Sequence, residues 1–254
     1  MKYPKRSPDG QESLIGEGNT LSRLRHPHML KLFGVLPNSG ALVLELMAGG
    51  NVDQWFGNSR LHWRKRGLPL MCQLSSALDY IHVSGFMHCD IKPQNVLVDA
   101  QLHTTKLADV GVARPINTAS GQIQTTPIML SPLFIAPKVN DGEYGFPADI
   151  FSFGMLLHVL MRGQLMCWSS RYEVDDIVNV PERIRSLIKS CICPARACDR
   201  LSAHSINCTL DELVNEHCNT SEELSQSMEQ LSIDRQNIDA EAVCLLEETA
   251  FFPV

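Results

Sequence analysis

The chain has 254 residues and a net charge of −6, and 44% of its residues are hydrophobic, which is enough for one large domain or two lobes around a core. No block of basic residues is present, so no nucleic-acid partner is predicted. The longest apolar run, at 150–161, is too short to cross a bilayer, and no membrane partner is predicted.

The cysteines and the N-terminal residues bear on the cellular compartment. Nine scattered cysteines argue against a disulfide framework, and the first residues carry charge without an apolar segment typical of a signal peptide. Both features favour a cytoplasmic setting, with a nuclear one as the alternative. Cys191, Cys193 and Cys198 cluster near His204, which raises zinc binding as an alternative, but the spacing lacks a C-x-x-C pair and favours reduced thiols.

In chain order, the first predicted elements are a helix and two strands. Residues 19–24 have helical character that ends before Pro27, because proline disfavours helix in the preceding residue. Residues 29–36 and 41–46 are apolar strands separated by a Pro-Asn-Ser-Gly turn. Two strands joined by a tight turn predict an antiparallel pair.

The pattern then becomes mainly helical. Apolar residues recur at three- and four-residue steps at Leu70, Leu74, Ala77, Leu78 and Ile81, which predicts a helix. Segments 96–98 and 105–108 are predicted short strands around a polar turn. Residues 114–138 are rich in Pro, Ser and Thr, and a loop of this length in a compact domain is usually functional. Helices are predicted from there to about residue 216.

Acidic residues are concentrated at the C-terminal end. Residues 205–254 contain 11 acidic residues and one basic residue, a net charge of −10, which leaves +4 for residues 1–204. We therefore predict an acidic tail at 217–254. Leu224, Met228 and Leu231 have the spacing of an amphipathic helix through which the tail could bind a partner, whereas a solvated, largely disordered tail is the alternative.

Four motifs follow one another along the chain: HCDIKPQN at 88–95, DVG at 109–111, SPLFIAPK at 131–138 and DIFSFG at 149–154. Their order and spacing resemble those of eukaryotic protein kinases, with a catalytic loop, a metal-binding D-F-G and a segment closing with A-P-E. The resemblance implies an α+β, two-lobed kinase-like fold. Its small β lobe would be partial, at 1–47, and its mainly helical large lobe would cover 48–216.

The resemblance also implies roles for individual residues, with ATP and magnesium as cofactors and a protein as substrate. Asp90 would orient the substrate hydroxyl and accept its proton, and Lys92 would stabilise the charge of the transferred phosphate. Asn95 and Asp109 would bind magnesium through oxygen ligands. His88 is better interpreted as a packed core residue than as a base.

Further upstream, the resemblance identifies an ion pair. Glu17 stands where the family carries a helix glutamate, and the family separation leads from it to Lys2, the lysine that would contact the ATP phosphates. A solvated lysine next to Met1 is the alternative. If Lys2 has this role, the chain starts inside the family domain, without the G-x-G-x-x-G loop over the phosphates, and we expect weaker ATP binding.

Three residues align with the part of kinases that contacts adenine. Leu44 takes the gate position, and Glu45 and Met47 correspond to hinge residues whose backbone groups meet the base. The alternative interpretation is a strand end followed by a turn.

The implied function is transfer of the ATP γ-phosphate to serine and threonine hydroxyls of proteins, since Lys92, Pro93 and Ser131 resemble the serine/threonine branch. Cys89 replaces the arginine that would bind a phosphate on the activation loop. The alternative is a pseudokinase or truncated kinase that acts as a protein-interaction module. A small-molecule kinase is disfavoured by the peptide-positioning segment at 131–137.

Overall fold

A computed structural model describes residues 1–3, 8–58, 61, 63–115, 132–136, 145–163, 174–175, 180–193 and 197–218. Most of the predicted loop at 114–138, including Ser131, and nearly all of the predicted tail at 217–254 lie outside the described residues. The chain divides into two compact units, Met1–Asp211 and Glu212–Val254. The elements that carry the sequence motifs all belong to the first unit.

The predicted antiparallel pair is formed by β1 (Leu32–Val35) and β2 (Leu42–Leu44), which are shorter than the sequence indicates. Lys2 extends this small sheet on the other side of β2. Its backbone N–H donates to the Leu42 carbonyl and its carbonyl accepts from the Leu42 N–H, both at 2.9 Å. The backbone of Lys2 is therefore fixed as if it belonged to a third strand.

Helix α1 (Pro8–Arg23) is much longer than the predicted helix at 19–24. One face of its second half is buried at steps of three and four residues, at Leu14, Glu17, Leu21 and Leu24 just beyond its end. Gly18 lies on the sheet side, where a Cβ atom would be 3.0 Å from Leu42 Cδ2. Glycine therefore allows α1 to approach β2 closely.

Four helices dominate the rest of the described residues: α2 (Leu68–Val83), α3 (Phe146–Arg162), α4 (Glu182–Ile192) and α5 (Ala203–Cys218). Helix α3 is buried along most of its length, because the apolar run that begins at Ile150 has no polar face. It packs on α4 at Gly154, where a Cβ atom would be only 2.8 Å from Ile192 Cγ2. Among the described helices, none is long and apolar enough to cross a membrane.

Two short antiparallel pairs position the motif loops. Strand β3 (Phe86–Met87) pairs with β6 (Arg114–Pro115), and β4 (Val96–Val98) pairs with β5 (Thr105–Leu107). The loop at 88–95 connects β3 to β4, and the segment at 108–113 connects β5 to β6. Each loop therefore begins and ends at a strand. The strands that flank one loop are paired with the strands that flank the other. The architecture is α+β, as predicted.

Candidate active site

The loop at 88–95 places three polar side chains against one another. Lys92 Nζ lies 2.6 Å from Asp90 Oδ2. The side-chain amide of Asn95 donates to the backbone carbonyl and to Oδ2 of Asp90, both at 2.8 Å. A 3-10 turn, Pro93–Asn95, brings the chain back towards Asp90. The Asp90 carboxylate is thus held from two sides. Its side chain is still 15% exposed to solvent, so a substrate can reach it.

A buried carboxylate fixes the backbone of this loop, and we did not single it out as a site residue from the sequence. Asp149, in the first turn of α3, accepts hydrogen bonds from the backbone N–H of His88 at 2.8 Å and of Cys89 at 2.9 Å. His82 Nε2 lies 3.0 Å from the same carboxylate. The sequence signal for Asp149 was its place at the start of the DIFSFG motif, at the head of the apolar run at 150–161.

The bonds to Asp149 support an unusual backbone conformation. Cys89 has a φ of 67°, in the left-handed region that costs energy for a residue other than glycine. Cys89, which replaces the expected arginine, is therefore buried and has a strained backbone immediately before Asp90. Burial also raises the pKa of the Cys89 thiol, so that it stays protonated at neutral pH.

A second cluster forms around Lys2. Its Nζ lies 2.8 and 2.7 Å from the two carboxylate oxygens of Glu17 and 3.1 Å from Asp109 Oδ1. Lys2 is positioned by its bridge to β2, Glu17 by the buried face of α1, and Asp109 by the turn after β5. Gly111 completes the arrangement, because a Cβ atom there would be 3.3 Å from Asp109 Oδ1 and 3.6 Å from Glu17 Oε2.

The three charged groups of this cluster affect one another's pKa values differently. Burial alone would lower the pKa of Lys2, but the carboxylates of Glu17 and Asp109 outweigh it and hold this pKa above its ordinary value. Burial raises the pKa of Glu17, and the ammonium group of Lys2 offsets only part of this effect. For Asp109 burial acts in the same direction, but Lys2 outweighs it and lowers the pKa. Lys2 therefore stays charged between its two partners at neutral pH.

Backbone contacts join the two clusters. The N–H of Ala108 donates to the Asn95 carbonyl at 2.9 Å, and His88 Nε2 lies 3.0 Å from the Ala108 carbonyl. Asp109 follows directly, with φ 60° and ψ 62°. Burial lowers the pKa of His88, so its imidazole is neutral at neutral pH and donates to Ala108. The loop that carries Asn95 and the turn that carries Asp109 are thereby locked side by side.

Asn95 and Asp109 offer the oxygen ligands that magnesium prefers. Both amide hydrogens of Asn95 are directed to Asp90, so its Oδ1 is the side-chain atom left for a cation. The Asp109 side chain is 45% exposed and accessible beside Lys2. The two side chains fit a magnesium ion that takes its remaining ligands from phosphates and water.

The segment aligned with the kinase hinge follows β2. Leu44 ends the strand, and the carboxylate of Glu45 pairs with Lys106 Nζ at 2.9 Å. The carbonyl of Met47 accepts the N–H of Gly50 at 3.1 Å. Within the described part of the chain, no hydrogen bond joins this segment to the clusters around Asp90 or Lys2. The predicted site residues therefore fall into three groups, of which two are in direct contact through the backbone.

Comparison with known proteins identifies the class to which this fold and this site belong. The family model of the protein kinase domain matches residues 1–233. The chain therefore belongs to the protein kinase family, and the match confirms both the resemblance found in the motifs and the α+β kinase-like fold.

Curated relatives carry the same assignment. CBL-interacting protein kinase 24 of Oryza sativa subsp. japonica is 31% identical over 172 residues, 66% of this chain and 36% of that protein. CBL-interacting protein kinase 21 of the same organism is 37% identical over 160 residues, 61% of this chain and 30% of that protein. The human serine/threonine-protein kinase ULK3 is 32% identical over 157 residues, 60% of this chain and 33% of that protein. The matched part thus spans about a third of each relative's length.

Proposed function

We propose that this chain catalyses transfer of the ATP γ-phosphate to serine and threonine hydroxyls of a protein substrate. The observation that carries the proposal is the position of Lys2, whose ammonium group is held between Glu17 and Asp109. A lysine fixed in this way presents one positive charge at a defined place, which suits the α- and β-phosphates of ATP.

The second cluster supplies the groups for the transfer itself. Asp90 is the carboxylate that orients the attacking hydroxyl and takes up its proton, and Lys92, 2.6 Å away, stabilises negative charge on the phosphoryl group. Asn95 keeps Asp90 in place through two hydrogen bonds. Since phosphoryl transfer depends on positioning and charge rather than on covalent steps, this rigidity is the main contribution of the loop.

Magnesium would be held by Asn95 Oδ1 and the Asp109 carboxylate, where it neutralises the charge on the ATP phosphates. The chain orients these two ligands through the hydrogen bond between Ala108 and Asn95. The backbone groups of Glu45 and Met47 would meet adenine beside Leu44. Among the described residues the Met47 N–H has no backbone partner, which suits an acceptor on the base.

Serine and threonine are the proposed acceptors because Lys92 and Pro93 resemble the serine/threonine branch, and because the human relative bears that name. Asp90→Asn tests the assignment in the full chain, with Asp175→Asn as the matched control. Asp175 has an exposed side chain, and among the described residues its ion-pair partner is Lys189.

The measurement is incorporation of labelled γ-phosphate from magnesium–ATP into serine/threonine and tyrosine peptide libraries. Wild type and Asp175→Asn should label serine and threonine peptides at equal rates, while Asp90→Asn should lose at least about 100-fold in rate. Equal labelling by Asp90→Asn would remove Asp90 from the mechanism. No labelling by wild type would favour the alternative of a protein-interaction module.

A further inference from the structure

Three side chains form a surface cluster on α2 and α5, outside the kinase motifs. His204 and Cys208 lie one turn apart on α5, and Asp79 lies on α2. His204 Nδ1 is 3.1 Å from Asp79 Oδ2, and Cys208 Sγ is 3.7 Å from His204 Nε2. We refer to Asp79, His204 and Cys208 as the thiol cluster.

The order of the contacts fixes the hydrogen positions. An ionised carboxylate can only accept, so the contact with Asp79 places the ring hydrogen of His204 on Nδ1. The lone pair on Nε2 then faces the thiol of Cys208, which is the donor in that contact. Cys208, His204 and Asp79 are thus linked in the order of nucleophile, base and orienting carboxylate. The same order is found in sites where an adjacent histidine activates a cysteine.

The thiol cluster is built on a fixed helix pair. Ser75 Oγ donates to Asn207 Oδ1 at 2.9 Å, and Cys72 Sγ donates to Asp211 Oδ1 at 2.8 Å. The contact between Asp79 and His204 is a third link between the two helices. Along α2 from Cys72 to Asp79, the partners on α5 run backwards from Asp211 to His204, so the two helices are antiparallel. Two helices held at three points keep the imidazole aimed at the sulfur better than a loop would.

Other described thiols have different surroundings. Cys72 donates to a carboxylate, and burial together with Asp211 raises the pKa of Cys72 to about 12. Cys191 is fully buried, which raises its pKa to about 12. Cys198 is exposed but contacts the carboxylate of Asp199 at 3.7 Å. Cys208 is exposed as well, but its sulfur contacts the imidazole of His204.

We propose that Cys208 is an oxidative modification site, at which His204, oriented by Asp79, acts as the base for attack of the sulfur on a hydroperoxide. The thiol proton passes to His204 Nε2 while an S–O bond forms and the O–O bond breaks. The departing hydroxide takes the proton from the imidazolium and leaves as water. Cys208 is oxidised by two electrons to a sulfenic acid, and hydrogen peroxide is reduced.

The charge around the thiol cluster favours this uncharged oxidant. Asp79 contacts the imidazole directly, and Asp211 lies three residues beyond Cys208 on α5, where side chains of one helix face are neighbours. Two carboxylates disfavour the approach of an anionic disulfide such as oxidised glutathione. A small neutral peroxide meets no such repulsion.

The test follows each cysteine separately in the 254-residue chain. The protein is treated with hydrogen peroxide in the presence of a sulfenic-acid trapping reagent, and in parallel with iodoacetamide, and labelling is followed by peptide mass spectrometry. Cys208 should be labelled at least about tenfold faster than Cys193 and Cys198, which are also exposed among the described thiols. Equal rates at the three positions would overturn the proposal.

Substitution of the base gives a second, independent readout. The His204 side chain is 73% exposed, so His204→Gln should leave the fold intact and reduce labelling of Cys208 to the rate of Cys198. His103→Gln, on the turn between β4 and β5, is the matched control and should change nothing. Unchanged labelling of Cys208 in His204→Gln would show that exposure alone sets its reactivity and would overturn the role of the imidazole.

Discussion

Lys2 Nζ lies 2.7 Å from Glu17 Oε2, although the two residues are 15 positions apart in the sequence. Lys2 is bridged to the small sheet, and Glu17 lies on α1. The two ends of this contact differ in environment: the side chain of Glu17 is 4% exposed, and that of Lys2 is 39% exposed. The carboxylate is therefore the member that depends on the pair, because water can replace a partner for Lys2 but not for Glu17.

This asymmetry predicts the outcome of Lys2→Met. The variant should lose about 1–2 kcal/mol of stability, because a buried carboxylate is left with an unfavourable neighbour in Asp109. Lys65→Met, at an exposed lysine, should have no measurable effect. The measurement is urea unfolding.

Glu17→Gln provides the complementary arm. In the Lys2→Met background it should recover part of the lost stability, because it removes the unpaired charge. If the double variant is as unstable as the sum of the single ones, Glu17 and Lys2 do not interact in solution.

The sequence predicts the end of α1 better than its start. The helix signal at 19–24 was clear, but Gly16 and Gly18 weaken it before that point, since each costs about 1 kcal/mol relative to alanine. In the structure the helix begins at Pro8, and its buried stripe includes Leu14 and Glu17. Glu17 is charged, so it interrupts the apolar periodicity by which the helix could be predicted. Its burial depends on the contact with Lys2, which forms only in the folded chain.

Alanine is expected to have opposite effects on stability at Gly16 of α1 and at Gly154 of α3. At Gly16 nothing lies within 4 Å of an added Cβ atom, so Gly16→Ala should stabilise the protein by about 0.5–1 kcal/mol. At Gly154 the added atom would collide with Cys191 and lie 2.8 Å from Ile192, so Gly154→Ala should destabilise by about 1–3 kcal/mol. Thermal unfolding measures both, and a shift of the same sign in the two variants would contradict this packing.

The motifs identified the residues around Asp90 and Lys2, but not the residue that holds the loop in shape. DIFSFG was visible as a motif, whereas the bonds from Asp149 to the backbone of His88 and Cys89 span about 60 positions and leave no local pattern. The hinge residues were found only by alignment, since a strand end followed by glycines is common. Roles assigned to Asp90, Lys92 and Asn95 remain predictions that kinetics must test.

Asp149→Asn should disturb the catalytic loop without touching the reacting groups. An amide can accept only one of the two backbone hydrogen bonds through its oxygen, so one N–H loses its acceptor while Cys89 remains strained. We expect a loss of about 2–3 kcal/mol in urea unfolding. Amide hydrogen exchange should rise at His88 and Cys89 and stay unchanged in β1. Exchange that is unaltered at the loop would show that Asp149 does not hold it.

The same carboxylate predicts a pH dependence of stability. Burial alone would raise the pKa of Asp149, but the contacts with His82 and His88 outweigh it, so this pKa lies below the ordinary value of 3.8. The unfolded state therefore binds the proton more readily, and the stabilisation is fully present above about pH 4 and is lost as the pH falls through the lower folded pKa. The difference in unfolding free energy between wild type and Asp149→Asn should accordingly be smaller at pH 3 than at pH 5. Urea titrations of both proteins at pH 7, 5 and 3 measure it, and a difference that grows towards pH 3 would reverse the sign of the assigned pKa shift.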